Sequence, residues 1–241
     1  MHKQRVAKDF SASAKVYDSH AFLQQRILRE LTGEAVAGII LDAGTGTGML
    51  ADLWPKATII GLDIADGMCR AARNKIPQVM VADMESLPLA DAVVDGVISS
   101  LAVQWLPQPE KFYAEAWRVC KSGGWLRIAT LSPKTLHELR AAYIAADLTP
   151  PVLDFTAGAT IRTEAQAAGW KIEKMSEKVI YTSHKSVREL LHYLKNLGAR
   201  HKQGRGLKTP ADLRKLEAVY ASADNKINAT WQIVMLEARK P

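Results

Sequence analysis

Short apolar runs recur at intervals through the first half of the chain. Segments 37–41 (AGIIL), 57–62 (ATIIGL), 78–82 (QVMVA), 93–99 (VVDGVIS) and 125–131 (WLRIATL) are each nearly continuous in apolar character. Such runs predict strands buried on both faces, as in a parallel sheet. Between them, 66–75 (DGMCRAARNK) and 109–120 (PEKFYAEAWRVC) have helical spacing, with Asp66 placed to cap the first and Pro109 in the first turn of the second. A short helix is also predicted for 49–53. Strands alternating with helices imply a doubly wound α/β sheet.

The second half is less regular. Helices are predicted over 133–146, 160–168 (stopped by Gly169), 186–196 and 210–221. Segments 170–182 and 230–239 read as extended and are expected to pair as an antiparallel sheet edge. Pro150 and Pro151 break the pattern between the first two helices, and 198–208 (GARHKQGRGLK) reads as a basic loop. No repeat and no internal boundary is visible, so one domain over 1–241 is expected, with 1–33 as N-terminal lid helices and 133–169 and 183–222 as substrate-side insertions.

Composition narrows the class. Hydrophobic residues make up 48% of the 241 positions and charged ones 24%, which excludes disordered, collagenous and coiled-coil chains. No apolar stretch reaches the roughly 18 residues of a membrane span. MHKQRVAKDF has no apolar core behind its positive start, so no signal peptide is read and a cytoplasmic protein is expected. The net charge of +7 suits an acidic partner (nucleic acid, an acidic protein or an anionic substrate) without choosing among them. Cys69 and Cys120 lack metal spacing and fit a reduced interior; no metal site is expected.

The chemistry concentrates at 41–48, LDAGTGTG. An apolar strand runs into Asp42, then Gly44, Gly46 and Gly48, then a helix. Glycines allow a sharp turn and close ligand approach. Asp63 ends the next strand, where a carboxylate can accept both hydroxyls of a ribose. Asp83 ends the third, where an acid can accept from an exocyclic amine such as that of adenine. Three successive strands thus deliver polar groups to the carboxyl edge, where open α/β sheets bind ligands. The G-x-G-x-G spacing differs from the dinucleotide fingerprint, and no P-loop lysine follows. An acid beside the loop suits a cationic ligand, and S-adenosylmethionine, with its ammonium and sulfonium, fits.

An acid before G-x-G-x-G, then acids ending strands two and three, resembles the class I S-adenosylmethionine-dependent methyltransferases. Segment 119–126, with Lys121-Ser122-Gly123-Gly124 before a strand, looks like that family's turn into strand five. The resemblance covers 38–131. It implies the strand order 3-2-1-4-5-7-6, with strand seven antiparallel, and an N-terminal helical lid. It also implies a loop of Asp42, Gly44, Thr45, Gly46 and Gly48 around the methionine part. Asp63 would hold the ribose, Ile64 and Met68 flank adenine, Asp83 and Met84 meet its edge, and Ser99 faces the sulfonium. The product would be S-adenosylhomocysteine.

The acceptor side has a different signature. The strand-four segment 99–105 (SSLAVQW) contains no carboxylate, Lys, His or Cys to act as a general base. That favours an acceptor already nucleophilic at neutral pH, such as a carboxylate with a pKa of roughly 4. The pattern F-x-x-x-A-x-x-Y-D-x-x-A-x-x-Q over 10–24, with SLAVQW, TLSPKTLHELR and LKNLGARH, resembles the malonyl-[acyl-carrier protein] O-methyltransferase family of biotin synthesis across nearly the whole chain. That resemblance implies methylation of the free carboxylate of a malonyl thioester, with malonyl-loaded acyl-carrier protein as partner and neither nucleic acid nor membrane. The clustered Lys195, Arg200, His201, Lys202, Arg205 and Lys208 are the expected face for the acidic carrier. Tyr17 is expected as a lid over the methyl site, with Gln104 and Trp105 bordering the acceptor. Gln24 either reaches the ligand or lies on a solvated helix face. Arg140, Arg162 and Arg200 are candidates to pair the carboxylate. The alternatives are a methyltransferase acting on another small acid or a quinone-type molecule, or an RNA-binding module. The absence of aromatics between Tyr193 and Tyr220 argues against the last.

Overall fold

The protein is described here from a computed structural model covering residues 2–198, 207, 209–220 and 226–241. Seven strands form one sheet: β1 (Gly38–Ala43), β2 (Ala57–Asp63), β3 (Gln78–Val81), β4 (Val94–Ser100), β5 (Cys120–Leu131), β6 (Lys171–His184) and β7 (Ile227–Arg239), in the order β3-β2-β1-β4-β5-β7-β6. The first five pair in parallel, whereas β7 lies antiparallel between β5 and β6. The expected class I methyltransferase order and its reversed strand are therefore observed.

Continuous apolar runs make sense because the central strands are covered on both sides. Alternation along each strand sends Leu41, Val97, Ile128 and Val234 to one layer, with Phe112 and Tyr113 of α5 (Pro109–Val119) and Ile161 of α7 (Gly158–Ala167). Ile40, Ile98, Ala129 and Ile233 go to the other, against α2 (Phe22–Thr32), α6 (His137–Ala145), α8 (Val187–Asn196) and α9 (Pro210–Val219). Each large apolar side chain buried this way contributes about 1.5–3 kcal/mol. Helix starts follow local chemistry: the Ser186 hydroxyl accepts from the Glu189 N–H, and Thr209 and Asp212 form a reciprocal capping box.

Two boundaries differ from expectation. The predicted helix over 133–146 begins only at His137, because Leu136 is left-handed (φ 54°) and its N–H donates to the Thr230 carbonyl at 2.7 Å, while the Ser132 N–H donates to that of Gln232. The approach is thereby tied to β7 before the helix starts. Residues 121–124 are not a turn ahead of β5 but a bulge within it. Cys120 pairs with Val94 and Trp125 with Gly96, and the extra residues bulge out between these two pairings.

The lid is α1 (His2–His20), which crosses the carboxyl edge of the sheet. Its Ser11 hydroxyl accepts from the Gly67 N–H on α4 (Asp66–Ala72) at 3.1 Å. Among the described residues no helix is long and apolar enough to cross a membrane.

Candidate active site

Between α1 and the ends of β1, β2 and β4 lies a cavity with about 700 Å³ of non-atom space, part of it open to solvent. The glycine loop forms its floor. A Cβ on Gly44 (φ 80°) would meet the Ala102 Cβ at 2.3 Å, so chain and loop touch there only because the side chain is absent. A Cβ on Gly46 (φ 56°) would meet nothing within 4 Å. After β4, Leu101 adopts a left-handed conformation (φ 53°) and its N–H donates to the Ala129 carbonyl at 2.8 Å. Such a conformation costs a non-glycine residue about 1–3 kcal/mol, and here it turns 101–105 over the cavity.

Asp63 lines the cavity and holds the loop. One carboxylate oxygen accepts from the Gly46 N–H at 3.0 Å, the other from the Ala65 N–H at 2.8 Å. Each oxygen keeps a lone pair for a ligand hydroxyl. Burial raises its pKa, against the lowering effect of these backbone donors. Gly44, Ile64, Met68, Asp83 and Met84 also line the cavity, as expected, with Leu62, Ala82 and Leu106 completing an apolar shelf. Asp83 is shared with the lid: its carboxylate accepts from the Glu85 N–H at 3.0 Å and pairs with the Lys3 ammonium, which also pairs with Glu85.

Four expected residues sit elsewhere. Asp42, Thr45, Gly48 and Ser99 do not line the cavity. Asp42 lies buried beneath the loop, where the Thr45 hydroxyl donates to it at 2.7 Å. Burial pushes the Asp42 carboxyl up to about 7, the Thr45 bond opposes this, and the Asp63 charge adds to it. At the end of β4 Ser99 is fully buried and Ser100 lines the cavity, because neighbouring strand residues face opposite ways, and the hydroxyls of both are buried without a partner.

The lid side escaped the sequence reading except at Tyr17. Lys3, Val6 and Phe10 line the cavity, and Ser13 between them and Tyr17 is buried. The spacing 3-6-10-13-17 is one helical stripe, disguised by mixing a lysine, a hydroxyl and aromatics. Phe10 packs edge-on against Trp105 (5.3 Å, 83°). The Thr47 hydroxyl donates to the Asp18 carboxylate at 2.5 Å, tying loop to lid.

A second chamber, about 420 Å³, shares Phe10, Tyr17, Leu101 and Trp105 with the first. Gln104 and Gln24 line it, so Gln24 is not on a solvated face, and its buried amide oxygen lacks a partner. Tyr17 is the chamber's single ionisable side chain among the described residues. Burial, then the charges of Asp63, Tyr193 and Asp18, push its phenol well above the ordinary tyrosine range, so it stays protonated.

Of the expected carboxylate partners, Arg140 and Arg162 line neither space. Arg140 is committed elsewhere: it donates to the Leu153 carbonyl at 2.7 Å and pairs with Asp154 at 3.0 Å. Arg162 is exposed on α7. Lys195 sits against the outer side of α1, near Asp9 and Val16. Arg200, His201, Lys202, Arg205 and Lys208 fall outside the described residues.

The residues present fit S-adenosylmethionine: an acid with free lone pairs, an open glycine, an unpartnered serine hydroxyl and an apolar shelf surround one cavity. Comparisons agree. A methyltransferase domain family matches residues 41–128. A SAM-dependent methyltransferase from Thermotoga maritima superimposes with a TM-score of 0.59 at 19% identity, covering 98% of this chain and 100% of that one. A malonyl-[acyl-carrier protein] O-methyltransferase from Laribacter hongkongensis is 33% identical over 99% of this chain and 90% of its own. The biotin biosynthesis bifunctional protein BioHC of Teredinibacter turnerae is 35% identical over 99% of this chain, which spans only 47% of that protein. The cofactor is S-adenosylmethionine, and the chain belongs to the malonyl-[acyl-carrier protein] O-methyltransferase family.

Proposed function

We propose that this chain methylates the free carboxylate of a malonyl thioester held on acyl-carrier protein, giving the methyl ester used in biotin synthesis. The observation that carries this is the chamber beside the cofactor cavity. Among the described residues its lining, Tyr17 apart, contains no ionisable group, and Tyr17 stays protonated. An alcohol, phenol or carbon acid would need a base there. A carboxylate needs none, because it is ionised at neutral pH.

When bound, S-adenosylmethionine supplies a methyl group on a positively charged sulfur. Transfer to a carboxylate would require no proton to be moved, so the chain need supply no base. The protein's share is orientation and exclusion of water. Leu23, Leu101, Leu131, Trp105 and Trp231 keep the chamber apolar. Tyr17, which stays protonated, can donate a hydrogen bond to the anion without neutralising it. A bidentate arginine would hold it more tightly but would lower its nucleophilicity. The commitment of Arg140 to Leu153 and Asp154 supports this arrangement.

The test is to mix chain, cofactor and malonyl-carrier protein, with unrelated small acids in parallel, and to read products by mass spectrometry. A gain of one methyl group on the malonyl thioester alone is expected. Methylation of the other acids instead would replace the acceptor.

A further inference from the structure

A third cavity, of about 630 Å³, adjoins the acceptor chamber, and Gln104 and Leu131 line both. Gln104 is the partition. Its amide N–H donates to the Leu101 carbonyl at 2.8 Å, and its oxygen accepts from the Thr130 hydroxyl at 3.1 Å. One side chain held by two hydrogen bonds opens by a change of rotamer. Two further groups on this cavity are unexplained. Tyr113 is fully buried, yet its hydroxyl has no partner; Glu164 has a buried carboxylate oxygen with none. Buried polar groups are nearly always bonded, and exceptions call for a tenant.

We propose that this cavity seats the pantetheine arm bearing the malonyl thioester, so that the acceptor reaches its chamber past Gln104. The inference rests on the malonyl thioester reading above. The arm is an uncharged chain with two amides, each offering an N–H and a carbonyl. The cavity offers matching chemistry in the Tyr113 and Thr156 hydroxyls, with an acceptor at the unpartnered Glu164 oxygen. Arg162, exposed on the helix that supplies Ile161 and Glu164, stands near the cavity, where an arm's phosphate or an acidic carrier would lie. The carrier would thus approach by α7 rather than by Lys195.

The test compares three acceptors: malonyl-carrier protein, malonyl-CoA and the truncated malonyl N-acetylcysteamine thioester. Tyr113→Phe and Glu164→Gln each remove one hydrogen-bonding role at little cost in volume. Each is expected to lower the preference (kcat/KM) for arm-bearing over truncated acceptor about 5–10-fold, through KM rather than kcat. Arg162→Glu separates the sources, weakening turnover of the carrier thioester more than that of the CoA thioester. A preference ratio equal to that of the wild type, or a loss shared equally with the truncated thioester, overturns the site. Pantetheine itself, titrated by saturation-transfer NMR, gives a readout without turnover. If the wild type binds it and the double variant does not, the site stands even where no thioester is methylated and the acceptor reading fails. No binding to the wild type overturns the site.

Discussion

The Thr47 hydroxyl on the glycine loop donates to the Asp18 carboxylate on the lid helix at 2.5 Å. The loop that receives the cofactor and the helix that covers it are therefore joined by a charge-assisted bond, of a kind worth about 1.5–3 kcal/mol. Thr47→Val should loosen the lid more than the fold. Stopped-flow release of S-adenosylhomocysteine is expected to accelerate roughly tenfold or more, with little change in Tm. An unchanged release rate would show that the bond does not hold the lid.

Asp63 should matter mainly for cofactor binding. Asp63→Ala removes the carboxylate proposed to accept from two ribose hydroxyls and frees the Gly46 N–H it now holds. Calorimetry is expected to show at least a ~100-fold weaker Kd from the loss of two charged hydrogen bonds. Burial has raised this carboxyl in the folded protein, so the variant should still fold. Normal affinity would remove the carboxylate from the ribose.

Gly46→Val tests the open side of the loop. Its Cβ has free space, so any steric conflict is with the ligand, while φ 56° adds backbone strain. A folded protein with no detectable cofactor binding is expected. Retained binding would place the ligand elsewhere.

Asp42 predicts a pH dependence. Its carboxyl is raised from 3.8 to about 7. Folding therefore favours the protonated form, and this contribution to stability is full at acid pH, falls as pH rises past 3.8, and is gone above about 7. A cationic cofactor nearby favours the ionised form instead. Cofactor affinity should therefore rise with pH up to about 7 and then level off, with a proton released on binding below that point. Calorimetry at pH 6.5 in two buffers of different ionisation enthalpy reads that proton. Asp42→Asn should abolish both the release and the pH dependence, and if the variant still releases a proton, another group is responsible.

Legibility in the sequence followed burial. The five parallel strands were readable because strands covered on both faces are continuous in apolar residues, and Asp63 and Asp83 because strand ends are where such sheets bind ligands. That Ser100 rather than Ser99 lines the cavity was not readable, because one residue along a strand reverses its face, which composition cannot register. Arg140 looked free because a sequence does not show the Leu153 carbonyl and Asp154 that occupy it. The lid stripe through Lys3, Val6 and Phe10 had the right period but not the apolar character by which periods are noticed. Tyr113 and Glu164 had no sequence signal at all, since an unpartnered buried atom is a property of packing.

The lid helix carries a final consequence. Of its 19 residues only Ser13 is buried, and much of its hold is polar: Lys3 to Asp83 and Glu85, Ser11 to Gly67, Asp18 to Thr47. Such a segment exchanges its amide hydrogens by opening locally while the sheet beneath stays shut to solvent. Exchange of spent nucleoside for fresh thus requires no melting of the core, only the undocking of one helix held by a few polar ties.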